Sequence, residues 1–199
     1  MSAVVVLGAG GHAKVVAEIA TLVGHDVQAF VDEGGQRVGT VIHGIPVVGS
    51  LKDAPDHPVA LGIGDNAARL RRYRALIADG RTVVSLVHPS AIVSPTVTMG
   101  AGTVVVAGVV INCDARIGAA VLLNTASSTG HDCQVGDGSH LGPGSRLTGG
   151  VTLGVGVFVG VGAAVVPLRN IGDWAVCGAG SVVVHDVEAG RTVKGVPAR

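Results

Sequence analysis

The side chains in this chain best suited to moving a proton near neutrality are its eight histidines, because an unperturbed imidazole titrates near pH 6.5. Two of them, His131 and His140, fall within a long stretch where large aliphatic residues recur every six positions. At their level the pattern breaks. Thr129 takes a large-aliphatic slot, and Asn124, Ser127 and Ser128 gather nearby. A polar interruption of a regular repeat is where function overrides folding preference. The second chemical feature lies at the start of the chain. Val4-Val5-Val6-Leu7 reads as a strand and runs into Gly8-Ala9-Gly10-Gly11-His12-Ala13, a GxGxxA turn that opens a helix. Such a turn presents backbone N–H groups and a helix N-terminus to a phosphate or nucleotide; the alternative is a glycine turn that only packs helix on strand. No Ser or Cys stands beside a base as an activated nucleophile would. Cys113, Cys133 and Cys177 form no CxxC pair, so neither a disulfide framework nor a zinc site is expected.

The six-residue period dictates the architecture that positions the histidines. From Val93 it runs through Met99, Val105, Ile111, Ile117, Leu123, Thr129, Val135, Leu141, Leu147, Leu153, Val159, Val165, Ile171 and Cys177 to Val183, with only Thr129 and Cys177 not large aliphatics. The residue two before each is nearly always small, and the residue after is often Gly. One large and one small inward residue per hexad describe a parallel β-helix of short strands, three hexads to an 18-residue coil, so about five coils stack. The glycines following the aliphatics are expected at the corners, where φ is positive. Residues 18 apart lie above one another, so Cys113, His131 and Gly149 form one ladder and Leu122, His140 and Phe158 another. Gly149 is expected to leave open space above His131.

The first 85 residues read differently. Strands fit Val4–Leu7, Val27–Val31, Val59–Ile63 and Val83–Val87, with one helix from the glycine turn through about Val23. Asp65 or Asn66 can cap a second helix that turns Leu70, Tyr73 and Leu76 inward. This is a small α/β unit with a parallel sheet. It supplies one mononucleotide-binding half where a dinucleotide needs two, which favours a single nucleotide-bearing ligand over a nicotinamide cofactor. Arg69, Arg71, Arg72 and Arg74 read as a solvated helix face, with a phosphate clamp as the alternative.

Lys plus Arg equals Asp plus Glu at 14 each, which leaves no electrostatic footprint for nucleic acid or an anionic membrane. The uncharged run between Arg146 and Arg169 would attract a hydropathy scan, but the hexad period continues through it. With no signal-peptide pattern and no paired cysteines, a cytoplasmic location is expected.

The hexads resemble those of hexapeptide-repeat acyltransferases. With the leading GAGGHAKVV, then FVDE, LGIGDN, HPSAIVSP and a closing VKGVPAR, the whole chain resembles the sugar O-acyltransferases of the sialic-acid acetyltransferase type. That family includes the N-acetyltransferases of nucleotide-linked amino sugars. The resemblance implies a Rossmann-like half domain over residues 1–88, which holds a nucleotide-linked sugar. An all-β left-handed parallel β-helix over 89–199 would bind acetyl-CoA. It implies direct acetyl transfer to a sugar amine; O-acetylation of a sugar such as a sialic acid, or a non-catalytic nucleotide-sugar-binding solenoid, are the alternatives. The family's segment of Asn, six residues, His and an acid falls on Asn124, His131 and Asp132, with His131 as general base. Adjacent side chains on an extended chain point apart, which argues against direct contact between Asp132 and the ring. Acetyl-CoA contacts carry over to His140, Gly149, Val161 and Ala179. The acceptor nucleotide sugar is assigned to Gly10, Gly11, His12, Asp32, Glu33 and Gly64. Some hexapeptide-repeat proteins bind zinc through histidines five apart, a spacing absent here, so no metal is expected. Around one corner, His131 and His140 should lie about 15 Å apart. If both serve one reaction, they come from different chains, as in the homotrimers of the family.

Overall fold

The computed structural model describes residues 2–199. Its N-terminal unit runs β1 (Ser2–Leu7), α1 (Gly11–Leu22), β2 (His25–Val31), β3 (Val41–Ile42), β4 (Ile45–Val48), β5 (Val59–Leu61) and α2 (Asn66–Ala78). The sheet order is β3-β4-β2-β1-β5, parallel except for the β3–β4 hairpin. β1 is a run of Val and Leu because it is covered on both faces: Val4, Val5, Val6 and Leu7 are all buried. The first glycine of the turn is a packing requirement. Gly8 has φ of 120°, and a Cβ there would come within 2.6 Å of the Gly62 carbonyl oxygen. Asp65 caps α2, accepting from the Ala68 N–H at 2.7 Å.

Beyond residue 85 the chain forms a left-handed parallel β-helix with three faces of seven, six and five strands. The expected strand Val83–Val87 is split. Val83 makes a single bridge to Val59, while Leu86–Val87 is already the first strand of the seven-stranded face. Val87 lies six before Val93, so the hexad register reaches back into this segment. Its small partner Ser85 bonds the next coil, donating to the Gly100 carbonyl at 3.1 Å. With Thr192–Val193 added at the other end, the stack is taller than the five coils expected. The hexad aliphatics from Val105 to Val183 form one buried core.

The glycines that follow the aliphatics do not have positive φ; the expectation fails on a steric point. A Cβ on Gly160 would sit 2.6 Å from the Ala179 nitrogen of the next coil, so these glycines allow coils to approach. The left-handed residue lies two positions later, as at Gly138 and Gly156, and that series also includes Asp132, Leu168 and Trp174.

Helix α2 runs along the edge between the five- and seven-stranded faces. Tyr73 packs at Gly102 and Leu70 at Gly138. Arg69 reaches the Ala120 carbonyl, and Asn66 reaches those of Gly156 and Val157. A helical turn of about 5.4 Å roughly matches the strand spacing of about 4.8 Å, so successive turns of α2 meet successive coils. No helix among the described residues is long and apolar enough to cross a membrane.

Candidate active site

His131 stands at the corner between the strands Ser128–Thr129 and Gln134–Val135. Its Nδ1 lies 2.7 Å from Asp132 Oδ2, and both side chains are 65% exposed. The contact that an extended backbone argued against forms because Asp132 is the left-handed corner residue, with φ of 57°. That turn brings two consecutive side chains to the same side, and Asp tolerates the conformation better than most residues. An exposed pair of this kind contributes at most about 1 kcal/mol to stability, so its value lies in orienting the ring. With Nδ1 engaged, Nε2 is the nitrogen left for chemistry. The space above the ring is not open, as the ladder suggested. A Cβ on Gly149 would collide with Nε2 and Cε1 of His131, so the glycine is needed by the imidazole itself.

His140 occupies the opposite kind of place, on the outer side of the seven-stranded face. It pairs with Leu122 on one side and Phe158 on the other, as the 18-residue ladder requires. The His140 and Phe158 rings are 5.0 Å apart between centroids. Asn124, expected to serve His131, instead approaches His140 in the same chain, Nδ2 to Nε2 at 3.1 Å. The Thr125 N–H donates to Asn124 Oδ1 at 2.8 Å, which fixes the amide with its NH2 toward the ring. Nε2 of His140 therefore accepts, and the neutral ring carries its proton on Nδ1. Burial, then the charge of Arg69, then His12 push the His140 pKa down to about 3. His12 is lowered to about 4 by burial and Arg69, and its Nε2 is buried without a hydrogen-bond partner among the described residues.

The assigned acceptor residues divide. Cβ atoms on Gly10, Gly11 and Gly64 would meet open space, leaving the backbone at the start of α1 and before α2 accessible. Asp32 is engaged in its own loop, accepting from Gly34 N at 3.2 Å and Arg37 N at 2.8 Å. Glu33 pairs with Arg72 at 2.6 Å. A cavity of about 510 Å3 opens between Gly64 and Asn66 on one side and His140, Phe158, Trp174 and Val176 on the other. Val161 and Ala179 lie exposed on the edge between the seven- and six-stranded faces, 18 residues apart and linked by the Gly180 N–H donating to the Val161 carbonyl. Burial raises the Cys133 thiol and brings that of Cys177 up to about 11, so neither is poised as a nucleophile.

Residues 3–76 match the family model of the PglD N-terminal domain. The whole chain superposes on a histidine-to-asparagine variant of perosamine N-acetyltransferase from Caulobacter crescentus, in complex with CoA and GDP-perosamine. The TM-score is 0.93 at 41% identity, over 100% of this chain and 96% of that one. The acetyltransferase domain of PglB from Neisseria gonorrhoeae, in complex with acetyl coenzyme A, is 33% identical with a TM-score of 0.93, over 100% and 98% of the two chains. The chain belongs to the nucleotide-sugar acetyltransferases of the hexapeptide-repeat superfamily. WeeI from Acinetobacter baumannii is also similar, at 28% identity and a TM-score of 0.91 over 98% of each chain.

For an acetyltransferase of this family, the residue that sequence reasoning misplaced is Arg69. It is not on a solvated face but 1% exposed. The missed signal is its spacing from Leu70 and Tyr73, which puts it on the side of α2 that meets the solenoid.

Proposed function

We propose that this chain transfers the acetyl group of acetyl-CoA to the amino group of a nucleotide-linked amino sugar, with His131 as general base. The observation that carries this reading is the His131–Asp132 pair at 2.7 Å, on a chain that aligns end to end with acetyltransferases holding CoA, acetyl-CoA or GDP-perosamine. That histidine variants of the perosamine enzyme were prepared with both ligands adds support for a histidine in the chemistry.

As the amine nitrogen bonds to the thioester carbon, the carbonyl π electrons move to oxygen, and His131 Nε2 takes the proton from nitrogen. Asp132 stabilises the imidazolium and holds its tautomer. His140 donates a hydrogen bond from its Nδ1–H to the developing oxyanion, and Asn124 keeps that tautomer in place. The carbonyl then re-forms, the C–S bond breaks, and His131 returns the proton to the departing sulfur. Gly149, Val161 and Ala179 line the path of the donor. Gly10, Gly11, His12 and Gly64 face the acceptor, while Asp32 and Glu33 order the loop beside it. The N-terminal α/β unit thus acts as the acceptor-binding unit and the solenoid, which begins at Leu86, as the donor-binding one. Acetyl-CoA and nucleotide sugars are cytoplasmic metabolites, so the reaction belongs in the cytoplasm.

His131 stands on an exposed edge, whereas His140 lies on a different face, with the strand Gln134–Val135 between them. A base at an acyl-transfer site works best with water excluded. Both points favour a homotrimer in which His131 of one chain completes the site around His140 of its neighbour. The test is a screen of GDP-, UDP- and dTDP-linked amino sugars with acetyl-CoA, following thiol release, with a free sialic acid as the hydroxyl control. N-acetylation of at least one nucleotide amino sugar is expected. Thiol release with the sialic acid alone, or with no acceptor, overturns the reading. Mixing inactive His131→Ala and His140→Ala chains under subunit exchange should restore part of that activity, and no recovery despite proven exchange rejects the shared site.

A further inference from the structure

Arg69 is buried at the junction of the two units, and each of its six hydrogen-bond acceptors is a neutral oxygen. Nε donates to the Ala120 carbonyl at 2.8 Å, and Nη1 donates to those of Ile63 at 3.1 Å and Gly64 at 2.9 Å. Nη2 donates to Asn66 Oδ1 at 2.9 Å and to the carbonyls of Gly138 at 2.9 Å and Ser139 at 3.2 Å. Asp65 acts on its charge from a distance, but a buried cation without a carboxylate in contact is an expensive filler for an interface, and an apolar side chain would do that task at less cost. What a guanidinium adds is a rigid planar fork of five donors that can reach several chain segments at once.

The segments it reaches are the two walls of the cavity. Gly64 and Asn66 belong to the wall supplied by the N-terminal unit, and the Ser139 carbonyl immediately precedes His140 on the wall supplied by the solenoid. Asn66 continues the tie one coil further, its Nδ2 donating to the carbonyls of Gly156 at 3.1 Å and Val157 at 3.2 Å, just before Phe158. We propose that Arg69 is a positioning residue for acyl transfer, a clamp that keeps the acceptor-binding loop Ile63–Asn66 in register with the coil carrying His140. The assignment of the loop to the acceptor rests on the acetyltransferase reading above. Burial first, and the same cation second, oppose protonation of His12 and His140.

The test uses full-length Arg69→Lys, Arg69→Met and Asn66→Ala proteins. Lysine offers three donors from one point and cannot span both walls. Its acceptor kcat/KM should fall by about 10- to 100-fold, the scale of a misplacement near 1 Å, with the acetyl-CoA KM within about twofold of wild type. Methionine should lose more than lysine, and Asn66→Ala should shift acceptor kcat/KM in the same direction by less. Amide exchange should quicken by about tenfold or more at Ile63–Asn66 and at Gly138–His140 in Arg69→Lys, with the distal coils unchanged. Unchanged acceptor kcat/KM in Arg69→Lys, or an acetyl-CoA KM raised well beyond twofold, overturns the proposal. If Arg69→Met does not fold, the lysine and Asn66 variants still decide it. If the wild type acetylates no amino sugar, the functional reading falls, and the exchange comparison alone judges the clamp.

Discussion

His131 and His140 are nine residues apart in a repeat with a six-residue period, and the structure treats them in opposite ways. His131 sits on a corner, open to water, with a carboxylate at 2.7 Å ready to stabilise the charge it would acquire. His140 lies on a face, under an aromatic ring and beside a buried guanidinium, with its pKa pushed down to about 3. One ring is exposed beside a carboxylate, and the other is buried and held neutral. A regular solenoid supplies both environments because corner and face alternate along the chain. Placing two histidines at unequal phases of the hexad is enough to give one an exposed carboxylate partner and the other a buried, aromatic-lined site.

The sharpest way to break this contrast is to remove the base. His131→Ala should lower kcat by about 10²- to 10⁴-fold, the usual worth of a general base, with the β-sheet circular dichroism retained because the ring is outside the core. Retention of more than half the wild-type kcat removes His131 from the mechanism. A milder variant displaces the base without deleting it. Gly149→Ala puts a methyl group where the His131 ring now lies, so the imidazole must shift. A displacement near 1 Å should cost about 10²-fold in kcat, with the KM of the acceptor little changed. Wild-type kcat in Gly149→Ala would mean that the ring position seen here is not the working one.

The same contrast explains what could be read before the structure was known. The hexad period specified the solenoid, and the 18-residue ladder correctly stacked Leu122, His140 and Phe158, because side chains on a flat face follow the repeat arithmetic. Corners do not. The contact of Asp132 with His131, and the filling of the space at Gly149, both depend on a left-handed residue whose place in the hexad the glycine pattern did not reveal, since glycines occur at two corner positions for two reasons. Asn124 went to His140 because sequence distance along a coil does not measure which neighbour lies one coil above. Arg69 escaped because charge argues for exposure, and only the packing of α2 along a prism edge shows why a fork of donors is buried there.

The smallest expected effect concerns stability in acid, and it tests the neutral side of the comparison. In the unfolded chain His140 takes a proton near pH 6.5, whereas in the fold it does not do so until about pH 3; for His12 the folded value is about 4. Between these limits the unfolded state binds more protons than the folded one, so stability falls as pH falls. The contribution of each ring is fully present above pH 6.5 and declines by up to about 1.4 kcal/mol per pH unit below it. Urea midpoints measured from pH 7.5 to 4.5 should therefore fall with acidification. His140→Phe keeps an aromatic ring against Phe158 and removes the titrating group. It should be less stable than wild type at pH 7.5, since Asn124 loses its acceptor, yet lose less stability per pH unit on acidification. Parallel slopes for the two proteins would show that His140 already takes a proton in the fold, and the neutral state assigned to it would not hold.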